Sequence, residues 1–268
     1  MKVLSIDWDY FIDATADQRY LMFPDGGNEN LPPAVGDTIW AARYAEHEEL
    51  SKIGLDKSGF NKLKKIIKKF CTPDTKVFIA DSHVRIYDFI KDNWDYDDII
   101  VDNIDFHHDY YEWQETEVDI SQAGVTKKAV STERVNCGNW ARILMETDFP
   151  DELTYNWVCR EDSDLSERLE KHPNFGGYLM IEDLLNNEQT YDLLYICRSS
   201  MWSPPHLDQY FFDFLEKQVK AISTESIEFG FLTENRYTDS MKAQIKEYND
   251  FLEGTRKQLK EDKHGKNR

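Results

Sequence analysis

The stretch "DIIVDNIDFHHDYY" (98–111) decides how the chain is read. Its first half is a short apolar run that reads as a buried strand. Its second half sets Asp105, His107 and Asp109 two residues apart, with His108 between the last two. If the strand continues through Asp109, alternate side chains line one face and three metal-type ligands project together from a strand end. Carboxylates crowded on one strand face are costly without a cation between them.

Working outward, "KVLSI" (2–6) reads as a short buried strand that ends at Asp7, and "KVFIA" (76–80) as another that runs into Asp81, Ser82 and His83. Phe60, Leu63, Ile66, Ile67 and Phe70 form a helical stripe opposite a lysine-rich face, which reads as a solvated surface. "VRIYDFIKDNW" (84–94) predicts a helix, "VNCGNWARILM" (135–145) a strand end into a helix, "YDLLYICRS" (191–199) a strand and "LDQYFFDFLEKQVKAI" (207–222) an amphipathic helix. Strands alternating with helices predict an α/β fold, a three-layer sandwich around a mainly parallel central sheet. One domain is expected over 1–252, with 13–55 as a turn-rich lip over the site and 253–268 as a charged, solvated tail.

The chain has 268 residues, of which 40% are hydrophobic and 13% aromatic, enough for a large core. A net charge of −19 excludes a nucleic-acid backbone or an anionic membrane as the expected partner, and suits a cationic substrate or metal ions. Plain solubility is the other reading of that charge. Cys71, Cys137, Cys159 and Cys197 have no C-x-x-C spacing, so neither a zinc knuckle nor a disulfide framework is expected. With no signal-like or membrane-spanning run, the expected compartment is the cytoplasm. The oligomeric state is left open.

Three predicted strand ends carry the same kind of side chain: Asp7 and Asp9, then Asp81 and His83, then Asp105, His107 and Asp109. In open α/β sheets ligands bind outside the carboxyl ends of the strands, where these groups can converge. Carboxylates and imidazoles without thiolates favour Mn²⁺, Mg²⁺ or Fe²⁺ over structural zinc. Six ligands, Asp7, Asp9, His83, Asp105, His107 and Asp109, suit two ions about 3.5–4 Å apart with a shared, acidified water. That is hydrolytic chemistry. Taken singly, each fragment has a plainer reading: a strand-end Asp caps a turn or helix, and a lone His83 is a satisfied core residue.

The blocks "SIDWD" (5–9), "ADSH" (80–83) and "DFHHD" (105–109) resemble the metal motifs of the arginase and ureohydrolase superfamily, which also includes deacetylases. The glycines that precede Asp-His in that family are missing here, and the Ser-x-Asp-x-Asp block opens the chain instead of coming late. That order resembles a divergent, permuted branch that includes peptide arginases, as do "NCGNW" (136–140) and "CRSSMWSPPHLDQYF" (197–211). The resemblance implies an arginase/deacetylase-like fold and a hydrolase that converts arginine, in a peptide or as a small guanidino compound, to ornithine and urea. It also implies two Mn²⁺ held by the six ligands above, with Asp7 and Asp105 bridging.

The family's proton-transfer histidine has no counterpart in "VNCGN" (135–139), so His108 and His206 stand in on chemistry alone, with Asp9 or Asp109 as proton carriers. Asn136, Asn139, Arg198 and Asp208 are the substrate-side candidates. For the last two, Pro204 and Pro205 simply stopping the chain before a helix is the competing reading. Two other functions stay open. "MKVLSIDWDYF" (1–11) also resembles haloacid-dehalogenase-type phosphatases, with Asp7 as nucleophile and Asp9 as acid/base. A non-catalytic module that keeps the metal site is the third.

Overall fold

The central strands are apolar on both faces, which is what a parallel sheet covered by helices on each side demands. A computed structural model of the chain describes residues 1–24, 32–95, 97–112, 135–186, 188, 190–222 and 227–265. The strands in chain order are β1 (Lys2–Asp7), β2 (Ile12–Asp13), β3 (Gly54–Leu55), β4 (Lys76–Ala80), β5 (Ile99–Ile104), β6 (Leu153–Val158), β7 (Phe175–Leu179), β8 (Leu193–Cys197) and β9 (Ile227–Phe229). The α-helices are α1 (Ala16–Met22), α2 (Pro33–Glu46), α3 (Lys57–Phe70), α4 (Arg85–Asn93), α5 (Trp140–Ile143), α6 (Glu167–Glu170), α7 (Asp208–Phe214) and α8 (Asp239–Gly265).

Seven strands pair in the order β7-β6-β5-β1-β8-β4-β9, every pairing parallel. β2 and β3 form a separate antiparallel pair. Alternate residues of the strands feed two cores. Leu4 and Ile6 of β1 and Leu194 and Ile196 of β8 pack with Leu63, Ile66 and Phe70 of α3 and Phe211 of α7. On the opposite face Val3, Leu193 and Tyr195 pack with Ile86, Phe89 and Ile90 of α4 and with Trp140 of α5. The molecule is therefore an α/β three-layer sandwich.

The helical stripe at 60–70 is α3, started by Asp56, whose carboxylate accepts from the amides of Ser58 (2.9 Å) and Gly59 (3.0 Å). Such a cap is worth about 1 kcal/mol. A Cβ at Gly59 would stand 2.4 Å from Asp56 Oδ2, so glycine permits the cap to close.

Several expectations are corrected. β5 stops at Ile104, so the alternation of Asp105, His107 and Asp109 is not strand alternation. Val135 to Asn139 form a turn and not a strand end, because Asn136 and Asn139 satisfy that backbone with their own side chains. The helix after Pro205 widens to a π-turn over Leu215–Val219. The tail boundary at 252 falls inside α8, which runs to Gly265. Strands β6, β7 and β9 were not read from the sequence. Most of the polar stretch at 112–133 lies outside the described residues. Among those described, no helix is long and apolar enough to cross a membrane.

Candidate metal centre

The chain enters the middle of the sheet with β1, and its neighbours β5 and β8 leave in opposite directions along the chain, so a crevice opens at their carboxyl ends. Asp7 ends β1. Its Oδ1 accepts from the amide of Asp9 at 3.0 Å and starts a 3-10 turn over Trp8–Phe11. That turn, locked by Trp8 against Phe211 (ring centroids 5.2 Å apart), places Asp9 in the crevice beside Asp7. Arg19 of α1 braces it from behind. Its Nη2 donates to the carbonyls of Asp9 and Ile12, both at 2.8 Å, and Nη1 stands 3.7 Å from Asp9 Oδ2.

After β5 the chain turns sharply. The Asp105 amide donates to Val158 O at 3.2 Å, Asp105 Oδ1 accepts from the His107 amide at 2.8 Å, and Trp157 Nε1 donates to the Asp105 carbonyl at 3.0 Å. His108 Nδ1 accepts from the Tyr110 amide at 2.9 Å. Asp109 then adopts a left-handed backbone at φ 49°, a strained conformation for a residue with a Cβ. The strain turns its carboxylate back towards β4, where Trp140 Nε1 donates to Oδ2.

His83, just past β4, completes the cluster. Its Nδ1 stands 3.3 Å from Asp7 Oδ2, 3.1 Å from Asp105 Oδ2 and 2.9 Å from Asp109 Oδ2. Its Nε2 is 2.7 Å from Ser5 Oγ, which orients the ring. On the other side His107 Nδ1 lies 3.1 Å from Asp9 Oδ2 and 3.9 Å from Asp105 Oδ1. Two ligand groups result, Asp7–His83–Asp105 and Asp9–Asp105–His107, with Asp105 in both. Asp109 adjoins the first through His83. All six expected ligands thus meet, and Asp105 has the position of a bridge.

The electrostatics are out of balance. Burial first, then the charges of Asp9 and Asp105, push Asp7 up to about 7; burial and Asp109 push Asp105 up to about 8. Burial also raises Asp109. Burial opposes the charged form of Asp9 too, but His107 and Arg19 outweigh it and hold that carboxyl low. Against the desolvation cost, the surrounding carboxylates raise His107 to about 9 and His83 well above its ordinary value. His83 Nδ1 is crowded by three carboxylates, and Asp9 Oδ2 lies between His107 Nδ1 and Arg19 Nη1. A buried all-oxygen-and-imidazole set packed this closely fits hard or borderline divalent cations.

The remaining candidates go elsewhere. Burial and then His107 lower the pKa of His108 to about 4, and its ring packs at a tilt against Tyr111, centroids 4.1 Å apart. His206 has both ring nitrogens engaged, with Tyr44 OH and with Ile53 O (2.8 Å), so it ties the 44–53 segment to the loop before α7. Asn136 and Asn139 build the turn that leads into Trp140. Arg198 and Asp208, expected at the substrate, are instead buried in an ion network with Asp81 and Arg236. Arg198 reaches Asp81 Oδ1 (2.6 Å) and Asp208 Oδ2 (3.1 Å), and Arg236 reaches Asp208 Oδ1 (2.6 Å).

Sequence reasoning passed over Ser5, Arg19, Trp140 and Trp157. Ser5 and Trp140 sat within the motifs singled out; nothing local marked Arg19 or Trp157. Trp202, whose ring is 4.5 Å from that of His107, flanks the partly exposed side of the cluster. No protein-family model, curated protein or solved structure matches the chain.

Proposed function

We propose that the protein is a binuclear Mn²⁺ hydrolase of the amidinohydrolase kind, converting arginine, within a peptide, to ornithine with release of urea. One observation carries this reading: two buried ligand groups, Asp7–His83–Asp105 and Asp9–Asp105–His107, share Asp105. The likeness of "SIDWD", "ADSH" and "DFHHD" to ureohydrolase motifs supplies the substrate class, and the net charge of −19 favours a cationic substrate.

Bound at these groups, two divalent ions supply Lewis acidity and an acidified water. The chain supplies the rest. Ser5 holds the His83 ring so that Nδ1 faces inward. Arg19 and Trp140 hold Asp9 and Asp109 on either side of Asp105. One of those two flanking carboxyls delivers the proton that the departing amine needs. The scissile bond joins the guanidinium carbon to the side-chain nitrogen; water ends in urea and the proton on ornithine.

The phosphatase reading is weaker, because it gives no role to His83, Asp105 and His107 although they crowd the same two aspartates. The discriminating experiment gives the purified chain Mn²⁺ and an arginine-containing peptide. Urea and a mass loss of about 42 Da per arginine are expected. Full metal loading with no change in any guanidino substrate overturns the proposal. Phosphatase activity that survives His107→Ala and dies with Asp7→Asn replaces it.

A further inference from the structure

Beside the cluster, past the carboxyl ends of β8, β4 and β9, lies a cavity of about 350 Å³ lined by none of the six ligands. Pro33, Val84, Met201 and Phe231 give it apolar walls, and Asp37 lines it with a carboxylate. Asp81, Thr233 and Arg236 also border it, but each is committed to the buried ion network. Asp37 is different. Among the described residues no hydrogen bond or ion pair holds its carboxylate, and burial, against the opposing charge of Arg236, keeps its pKa above the ordinary value.

The charges of Arg198, Arg236, Asp81 and Asp208 cancel, which leaves Asp37 as the unbalanced charge of the inner wall. Arg85, at the edge, pairs outward with Asp88 at 3.3 Å. Gly36 leaves the space open: a Cβ there would meet Met201 Sδ at 3.4 Å, so glycine is not demanded by the backbone and a longer side chain would enter the cavity. An unmatched carboxylate set in a largely apolar wall describes a site for one kind of ligand.

We propose that this cavity binds an organic cation, a primary ammonium or a guanidinium on an apolar stem, with its head on Asp37 and its stem against Met201 and Phe231. The site stands independently of the chemistry at the cluster. It shares two walls with it: Ser82 and Val84 flank His83, and Met201 precedes Trp202, the residue beside His107. On the hydrolase reading it would seat a second basic residue of the same peptide.

The test titrates the full chain, stripped of metal by a chelator, with n-pentylammonium and separately with pentan-1-ol, followed by calorimetry and amide chemical shifts. Saturable binding of the ammonium and not of the alcohol is expected. Asp37→Asn should weaken it roughly tenfold or more, as loss of a charge-assisted hydrogen bond does. Gly36→Leu, checked for folding by circular dichroism, should remove it by filling the space, and His107→Ala should leave it unchanged. The proposal is overturned by absence of saturable binding, by equal binding of pentan-1-ol, by an unaltered Asp37→Asn variant, or by loss of binding in His107→Ala, which would place the probe at the cluster. Because no urea is measured, a failed hydrolase reading leaves this outcome legible.

Discussion

Arg198, Arg236, Asp81 and Asp208 bury two guanidiniums with two carboxylates, while Asp7, Asp9, Asp105 and Asp109 bury four carboxyl groups against two imidazoles and, at Asp9 alone, Arg19. Both groups sit past the carboxyl end of the same sheet. In the first, Asp208 receives Arg198, Arg236 and the Arg236 amide, and Asp81 receives Arg198, Thr233 Oγ1 and the Thr233 amide. That network is closed, and its work is to tie the loops after β4, β8 and β9 together. The second group has carboxylates that outnumber the imidazoles among them, with ligand atoms that face each other. The same chemistry of buried carboxylates serves structure where guanidinium matches it and calls for a cation from outside where nothing does.

The sharpest way to break this comparison is to remove the shared ligand. Asp105→Asn should reduce urea release to background and abolish Mn²⁺ binding at both groups, measured by metal analysis after dialysis. In the unaltered chain, Mn²⁺ at 100 times its dissociation constant should add about 2.7 kcal/mol of stability, and in Asp105→Asn none. Retention of two ions by the variant would remove Asp105 as the bridge. The closed network should respond in the opposite sense. Asp208→Ala, which strands two buried guanidiniums, should cost about 3–5 kcal/mol in urea denaturation, and Mn²⁺ should not restore the loss.

Ser5→Ala sharpens the other side. It frees the His83 ring without touching a ligand atom and should weaken Mn²⁺ binding about 10–100-fold while the fold stays intact. An unchanged affinity would make Ser5 a bystander.

The smallest effect is on pH. In the metal-free chain Asp7 and Asp105 titrate near 7 and 8 against 3.8 when unfolded, so the folded state keeps protons the unfolded chain has lost and stability falls as pH rises between about 4 and 8. His107, at about 9 against 6.5, lends stability that is lost in the same direction as pH climbs through its folded value. Asp9, held low, works the other way, but only below about pH 4, outside this window. Mn²⁺ competes with those protons and should reverse it, so that stability rises with pH over the same range. Thermal unfolding from pH 5 to 9 with and without Mn²⁺ reads both slopes.

The periodicity of "KVLSI", "KVFIA", "DIIVDNI" and "YDLLYICRS" was enough for the central strands, because a strand buried on both faces must be apolar throughout. α3 and α4 were equally legible from their stripes. β7 was not: its segment "FGGYL" (175–179) has neither a long apolar run nor clean alternation. β9, only three residues long, forms the edge at Ile227–Phe229, where partial exposure dilutes the pattern.

The sequence by itself determined that acids and imidazoles gather after three strands, since residue type and strand ends are local properties. How they meet was a tertiary decision. Asp109 faces His83 through a left-handed turn and not through the pleat; Asp9 arrives on a 3-10 turn capped by Asp7; and His83 comes from β4, which β8 separates from β1. The enclosure of Arg198 and Asp208 in an ion network was likewise decided by their partner Arg236, 28 residues from Asp208, whose approach no local pattern announces. Charge balance is a sum over neighbours in space, and only the fold names the neighbours.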